Sequence, residues 1–378
     1  MQYQGLFYLF AGFSSFLLLF TILRAWGLER AQLDSGKTRV KDQWTEPENL
    51  VVSEILNEAP GIKTFRLSRQ DGQVFPEFLP GQFISFVIGD PSKKLLRSYS
   101  MSSPPFMNQL IEVSIKLIEG GKGSTWFHGL QVGDQVTAHP PAGLFTNQHD
   151  TLNKQVFVGA GIGITPLRSM ILSGLENNID GEYSLFYSAS REVELSFHLE
   201  FLALEKRFER FHYFPTLTRE GWERGEGRIS LETLKKNLKN PLTRHSYYFC
   251  GPLEMMEGLS EGLVEQGVNQ EQIHFEAFIT KENKDYEARD AEIKISGKAF
   301  SYSGNESILE FLERQGIEVE FSCRVGVCGE CKLKLRTGEV EQSTQAGLSG
   351  KERKQGHILS CVSRPKSEEI LDLEKGEV

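Results

Sequence analysis

The sequence predicts a multidomain chain: an N-terminal transmembrane helix, an all-β barrel, an α/β domain and a small α+β domain. Three observations carry this. The run from Leu6 to Leu23 holds no charged residue. Short alternating stretches give way near residue 150 to a strand, a Gly-rich turn and a helix. Four cysteines gather toward the C-terminus, at 323, 328, 331 and 361. The 378 residues then divide into an anchor (1–33), a polar tether (34–48), the barrel (49–150), the α/β domain (151–280), a charged linker (281–289) and the last domain (290–378).

As a helix, Leu6–Leu23 would rise about 27 Å, close to the hydrocarbon thickness of a bilayer. A secretory signal peptide is the rival reading. It calls for a basic start, a shorter apolar core and a small-residue cleavage site, whereas Met1-Gln2-Tyr3-Gln4 has no basic side chain. Arg24, Arg30, Lys37, Arg39 and Lys41 all follow the span. The positive-inside rule therefore expects a single-pass protein of the inner (cytoplasmic) membrane with its remaining domains in the cytoplasm.

Val51-Val52, Ile62–Leu67, Phe83–Ile88 and Leu110–Leu117 read as short strands separated by Gly and Pro, the pattern of a small barrel. Beyond residue 153 the chain alternates. Gln155–Val158, Tyr183–Tyr187, Phe211–Pro215 and Tyr247–Cys250 read as strands with helical stretches between, so a parallel sheet is expected. Its first strand enters Gly159-Ala160-Gly161-Ile162-Gly163-Ile164-Thr165-Pro166. Glycines there let backbone N–H groups approach a pyrophosphate, and a following helix N-terminus favours negative charge. Pro166 suits an early helical position. The G-x-G-x-x-G pattern is not met, because Ile164 stands where its last glycine would be.

The cysteines read Cys323-x4-Cys328-x2-Cys331…Cys361, the spacing of a plant-type [2Fe–2S] site. Gly326 and Gly329 let the loop turn sharply and approach inorganic sulfide. Cys328-x-x-Cys331 alone could be a redox dithiol or half a zinc site, but no second C-x-x-C pair exists. Cys250 lies apart and belongs to another site.

With Phe321–Cys331 and Gly356–Cys361, residues 290–374 resemble plant-type ferredoxin domains. The resemblance implies a β-grasp fold. In agreement, Ala291–Ile295 and Ala299–Tyr302 read as paired strands, Ser307–Gln315 as a helix stopped by Gly316, and Lys332–Leu335 as a further strand. In the barrel, Arg97-Ser98-Tyr99-Ser100 could be an ordinary strand end, yet Arg97 suits a phosphate, Tyr99 offers a flat face and Ser100 a hydroxyl. With Gly159–Pro166 and Cys250-Gly251-Pro252 in this order, residues 49–280 resemble the ferredoxin–NADP reductase family. That resemblance makes the barrel flavin-binding and the α/β domain NAD(P)-binding. It implies that Arg97, Tyr99 and Ser100 bind the flavin and that Gly123, Ser124 and Thr125 cap its phosphates. Gly159, Gly161, Gly163, Thr165, Pro166, Gly251 and Pro252 would hold the nucleotide. Cys250 and Ser100 would stand at the hydride-transfer locus, and Glu276 and Phe278 would be the terminal acid and aromatic, Phe278 shielding the flavin. The metal ligands would be Cys323, Cys328, Cys331 and Cys361.

The architecture resembles flavin reductases with a C-terminal ferredoxin domain, of the phthalate dioxygenase reductase and hybrid-cluster-protein reductase type, with a membrane anchor added. It implies an NAD(P)H-dependent flavin and iron–sulfur oxidoreductase with FAD (FMN as the alternative), a [2Fe–2S] cluster and NADH or NADPH. The acceptor would be an oxygenase, a desaturase or a hybrid-cluster protein. An electron-transfer subunit of a larger membrane redox complex is the other reading. Arg191 could meet a 2′-phosphate or lie in solvent, so the choice of nucleotide stays open. The net charge of −9 and the lack of a basic stripe argue against nucleic acid. H-E-x-x-H does not occur, so zinc-protease chemistry finds no support.

Overall fold

A computed structural model describes residues 44, 46–89, 96–143, 145–148, 150–178, 180–221, 227–276, 289–304, 306–321, 326, 329–345, 347–366 and 368–375. The expected transmembrane helix lies outside them, as does most of the tether and linker. Among the described residues no helix is long and apolar enough to cross a membrane.

The first domain is an antiparallel barrel of β1 (Glu48–Ala59), β2 (Ile62–Arg69), β3 (Phe83–Val87), β4 (Leu96–Ser100), β5 (Ile111–Lys116) and β6 (Gln135–Ala138). Its strand order is β4-β3-β6-β1-β2-β5. Met101, one residue past β4, bridges Val113 on β5, which joins the two edges. β1 runs further than the Val51-Val52 pattern predicted. Register shifts between Val52 and Glu54 and between Asn57 and Ala59 break the alternation that would have revealed it. Helix α1 (Lys122–His128) plugs the barrel with Phe127, which is fully buried at 5.3 Å from the Phe65 ring and 5.0 Å from Phe86, centroid to centroid. The barrel also reaches into the expected tether. Trp44 is only 8% exposed, packs 5.7 Å from the Phe75 ring and donates its indole N–H to the Glu46 carbonyl. A polar average over 34–48 hid one large apolar anchor.

The second domain alternates: β7 (Lys154–Ala160), α2 (Ile164–Asn177), β8 (Glu182–Ala189), α3 (His198–Arg207), β9 (Phe211–Leu217), α4 (Leu231–Asn237), β10 (Ser246–Cys250), α5 (Leu253–Glu265) and β11 (Ile273–Glu276). The sheet is parallel, in the order β11-β10-β7-β8-β9. The chain thus moves outward from β7 to β9, then returns to β10 on the other side of β7. Ligands of such sheets bind where this reversal leaves a crevice at the carboxyl ends of the strands, here between β7 and β10.

The third domain holds β12 (Arg289–Ile295), β13 (Lys298–Gly304), α6 (Ile308–Arg314), β14 (Lys332–Thr337), β15 (Val340–Gln342), α7 (Gly350–Lys354), β16 (His357–Leu359), β17 (Ser363–Pro365) and β18 (Ile370–Lys375). Its main sheet runs β13-β12-β18-β14-β16, with β12 parallel to β18 and the other pairs antiparallel. β15 and β17 form a separate pair. Ser307 caps α6 in a reciprocal bond with Glu310, and Gly316 follows the helix at φ +72°. Ile308, Phe311 and Leu312 then pack with Ile293, Leu333 and Leu371, a β-grasp arrangement. β12 begins at Arg289, inside the stretch expected as linker.

Candidate functional site: a two-domain crevice and a cysteine pocket

β4 carries Arg97, Tyr99 and Ser100, and α1 comes to meet them. A Cβ on Gly123 would lie 2.6 Å from the Tyr99 hydroxyl and 2.7 Å from Arg97 Cγ. Only glycine lets the start of α1 approach the motif so closely. Tyr99 also packs 5.2 Å from the Phe127 ring, edge to face, so the helix that supplies Gly123 also orients the tyrosine. Burial pushes the Tyr99 phenol up to about 12, against the pull of the Arg97 charge, so it stays a neutral hydroxyl. Arg97 is half-buried and donates to the Leu96 carbonyl at 2.7 Å. Ser124 is buried, and its hydroxyl accepts the Ile118 N–H at 3.1 Å, which ties down its own turn. Thr125 is exposed.

Across the crevice, β7 ends in Gly159-Ala160 and a tight turn follows over Gly161–Gly163 before α2. Gly161 adopts φ +54°, with open space where a Cβ would stand. Gly163 is needed for a different reason. A Cβ there would fall 2.2 Å from the Cys250 carbonyl oxygen. Gly159 and Cys250 are register partners on β7 and β10, and a Cβ on Gly251 would be 3.1 Å from that of Ala160. The two turns are therefore pressed together at the reversal point. Thr165 is buried and donates to the Ile162 carbonyl at 3.1 Å. Pro166 is buried in the first turn of α2, and Pro252 is exposed as the N-cap of α5.

The halves meet at Ser100. Its hydroxyl donates to Glu276 Oε2 at 3.2 Å. Glu276 ends β11 as the register partner of Cys250, and all three residues are buried. Burial, and then the Glu276 charge, push the Cys250 thiol well above its ordinary value. It is a neutral thiol and not a nucleophilic thiolate. Phe278 lies outside the described residues. Arg191 is half exposed and pairs with Glu194 at 2.9 Å.

In the third domain Cys331 and Cys361 are 1% and 4% exposed and share one apolar pocket with Leu309, Leu348, Leu359 and Val362. The Ser360 N–H and hydroxyl both donate to the Cys331 carbonyl, at 3.0 and 2.9 Å, which holds the two cysteine segments together. Gly326 and Gly329 take φ +79° and +80°, as a sharply turning loop requires. A Cβ on Gly326 would also come within 2.6 Å of Thr344. Cys323 and Cys328 lie outside the described residues. Among the described ones no group of three or more His, Cys, Asp or Glu could hold a metal. Two buried thiols, held together beside glycines at positive φ, fit the sulfur-ligated [2Fe–2S] group that the spacing implies.

Residues not singled out from sequence also join the domains. Arg168 on α2 is buried between Glu112 on β5 and Glu200 on α3. A charge inside the apolar run Ile164–Leu172 was the available clue, since arginine is seldom fully buried unless paired.

Three family patterns match, in chain order. They are an oxidoreductase FAD-binding domain over 49–147, an oxidoreductase NAD-binding domain over 157–261 and a 2Fe-2S iron-sulfur cluster binding domain over 293–366. The glycine betaine monooxygenase reductase subunit of Pseudomonas aeruginosa is 27% identical over 354 residues, covering 87% of this chain and 96% of the relative. The carnitine monooxygenase reductase subunit of Acinetobacter baumannii is 30% identical over 326 residues, covering 85% and 97%. Among solved structures, phthalate dioxygenase reductase superposes with a TM-score of 0.63 at 24% identity, over 86% of this chain and 98% of that one, which shows the shared fold.

Proposed function

The chain belongs to the family of oxygenase reductase subunits that join FAD-binding, NAD-binding and [2Fe–2S] domains in one polypeptide, and from that premise we propose that it draws electrons from NADH or NADPH and delivers them to a partner monooxygenase. The observation that carries this most directly is the 3.2 Å bond from Ser100 to Glu276, where the barrel meets the parallel sheet. Bound flavin supplies the exchange between a two-electron hydride and single electrons, and a [2Fe–2S] group supplies a one-electron store. The chain's own task is positioning. Arg97, Tyr99 and the glycine-lined start of α1 suit a flavin and its phosphates, and the Gly159–Gly163 turn suits the nucleotide's pyrophosphate. Ser100, Glu276 and the neutral Cys250 close the crevice where the two ligands would face each other. Cys323, Cys328, Cys331 and Cys361 would hold the cluster.

Division of labour tests this reading. The purified chain, loaded with FAD and iron, is expected to bleach anaerobically in the flavin and cluster bands when NADH or NADPH is added. A fragment ending at Lys284 should still reduce ferricyanide, which takes electrons from flavin directly, and should lose most transfer to the monooxygenase. Loss of ferricyanide reduction in a fragment that still binds flavin would reverse the assigned electron order.

We also propose that Leu6–Leu23 anchors the chain in the inner membrane with the three domains in the cytoplasm. The uncharged run and the basic residues after it support this. Carbonate-washed membranes should retain the full chain and release one that starts at Ser35. Protease added outside intact cells should leave the domains uncut, and their digestion would refute the orientation.

A further inference from the structure

Arg168 and Ser169 are consecutive residues on α2, the helix that leaves the Gly159–Gly163 turn. Each reaches out of the second domain to a barrel carbonyl. Arg168 Nη1 donates to Ser102 O and Ser169 Oγ donates to Ser103 O, both at 2.7 Å. Ser102 and Ser103 lie two and three residues beyond Ser100, just past the end of β4, the strand that carries the flavin motif. The same Nη1 also meets Glu112 Oε2 on β5 at 2.7 Å. Nε and Nη2 take the two oxygens of Glu200 at 2.6 and 2.9 Å. The guanidinium carbon sits 4.4 Å from the centroid of the Phe197 ring. Phe197 is held at φ 60°, a conformation that bulky residues adopt at a cost. Glu112 is braced in turn by Arg66 Nε at 2.8 Å.

A buried ion network of this kind is weak evidence of stability, because taking the charges out of water offsets much of their attraction. It is a strong source of geometry. Apolar contacts are non-directional, whereas hydrogen bonds hold a length and an angle. The planar five-donor fork of arginine fixes orientation as lysine cannot. Burial acts against both charges, yet Glu112 is held below the usual carboxylate range by Arg168 and Arg66, and Arg168 is pushed above its ordinary value by the two carboxylates. The network therefore stays ionised.

We infer that Arg168, with Ser169 as a second point, is a positioning residue that registers the nucleotide-binding turn against the flavin-binding strand, and so sets the distance over which hydride passes. It rests on the reading of the crevice given above, in which nicotinamide loses the hydride and flavin gains it. It acts through Ser102–Ser103 and the α2 turn, without touching either ligand. A misplacement of ~1 Å in such a step costs ~100-fold.

The test is anaerobic stopped-flow reduction of the full FAD-loaded chain by NADH and by NADPH, comparing wild type with Arg168→Lys and Ser169→Ala. Arg168→Lys keeps the charge and loses the fork. Its limiting rate should fall ~10- to 100-fold and that of Ser169→Ala ~3- to 10-fold. Half-saturation should stay within ~3-fold and flavin content should be unchanged. Hydrogen–deuterium exchange of the flavin-free chain is the second readout. Amides of 101–103 and 161–170 should exchange faster in Arg168→Lys, with β1 and β2 unchanged. If wild type fails to bleach with either nucleotide, the proposed function falls. If wild type bleaches and both flavin-loaded variants follow within ~2-fold, the positioning role alone is overturned. A lowered melting temperature with an unchanged limiting rate overturns it too. Should Arg168→Lys fail to fold, Ser169→Ala decides.

Discussion

Cys331→Ser and Cys361→Ser proteins are expected to lose nearly all bound iron and sulfide, while Cys250→Ser keeps both. The two thiols share one buried apolar pocket and are tied together through Ser360, so each replacement would remove one of the four ligands proposed above. Outer-shell partners of a metal site cost ~10- to 100-fold in affinity when removed, and a ligand should cost more. Transfer to the monooxygenase should fall below detection, with ferricyanide reduction retained. Cys250 stands in the fully buried end of β10, in another domain. Iron and sulfide assays with visible spectra decide the matter: full iron in Cys361→Ser would remove that residue from the ligand set.

Gly163→Ala should be the most damaging single methyl in the nucleotide half. Its Cβ would stand 2.2 Å from the Cys250 carbonyl oxygen and 2.6 Å from the carbonyl carbon. These are backbone atoms, so no rotamer change relieves the overlap, and the ends of β7 and β10 must separate. Overpacking of this kind costs about 1–3 kcal/mol, and the displaced turn should lower NAD(P)H-driven flavin reduction ~100-fold. Gly161→Ala is the informative control. It meets no atom within 4 Å, and its strain comes from φ +54° alone, worth about 1–2 kcal/mol. Denaturant melts and single-turnover kinetics on both variants separate the two causes. Equal effects would show that crowding at Cys250 is not what Gly163 relieves.

Local chemistry was legible wherever short-range geometry produces it. Alternation from Phe65 onward marked β2, a short apolar run marked β3, and Ser307 with Gly316 bracketed α6. The sharp turn expected of the cysteine loop appears as positive φ at Gly326 and Gly329. Where local rules are interrupted, legibility failed. Two bulges concealed most of β1, four residues were too few to reveal β6, and Trp44 was lost in a polar average.

The order of domains, the glycine turn and the cysteine spacing are properties of neighbours along the chain, and the sequence carries them without help from the fold. The bond from Ser100 to Glu276 spans 176 residues, and that from Arg168 to Glu112 spans 56. No period or propensity encodes such separations. They follow from the order β11-β10-β7, which sets Glu276 beside Cys250 beside Gly159, and from close packing of that sheet on the barrel. The choice of Gly163 for space and Gly161 for conformation is likewise invisible in a string of glycines, because it depends on which backbone lies across the gap.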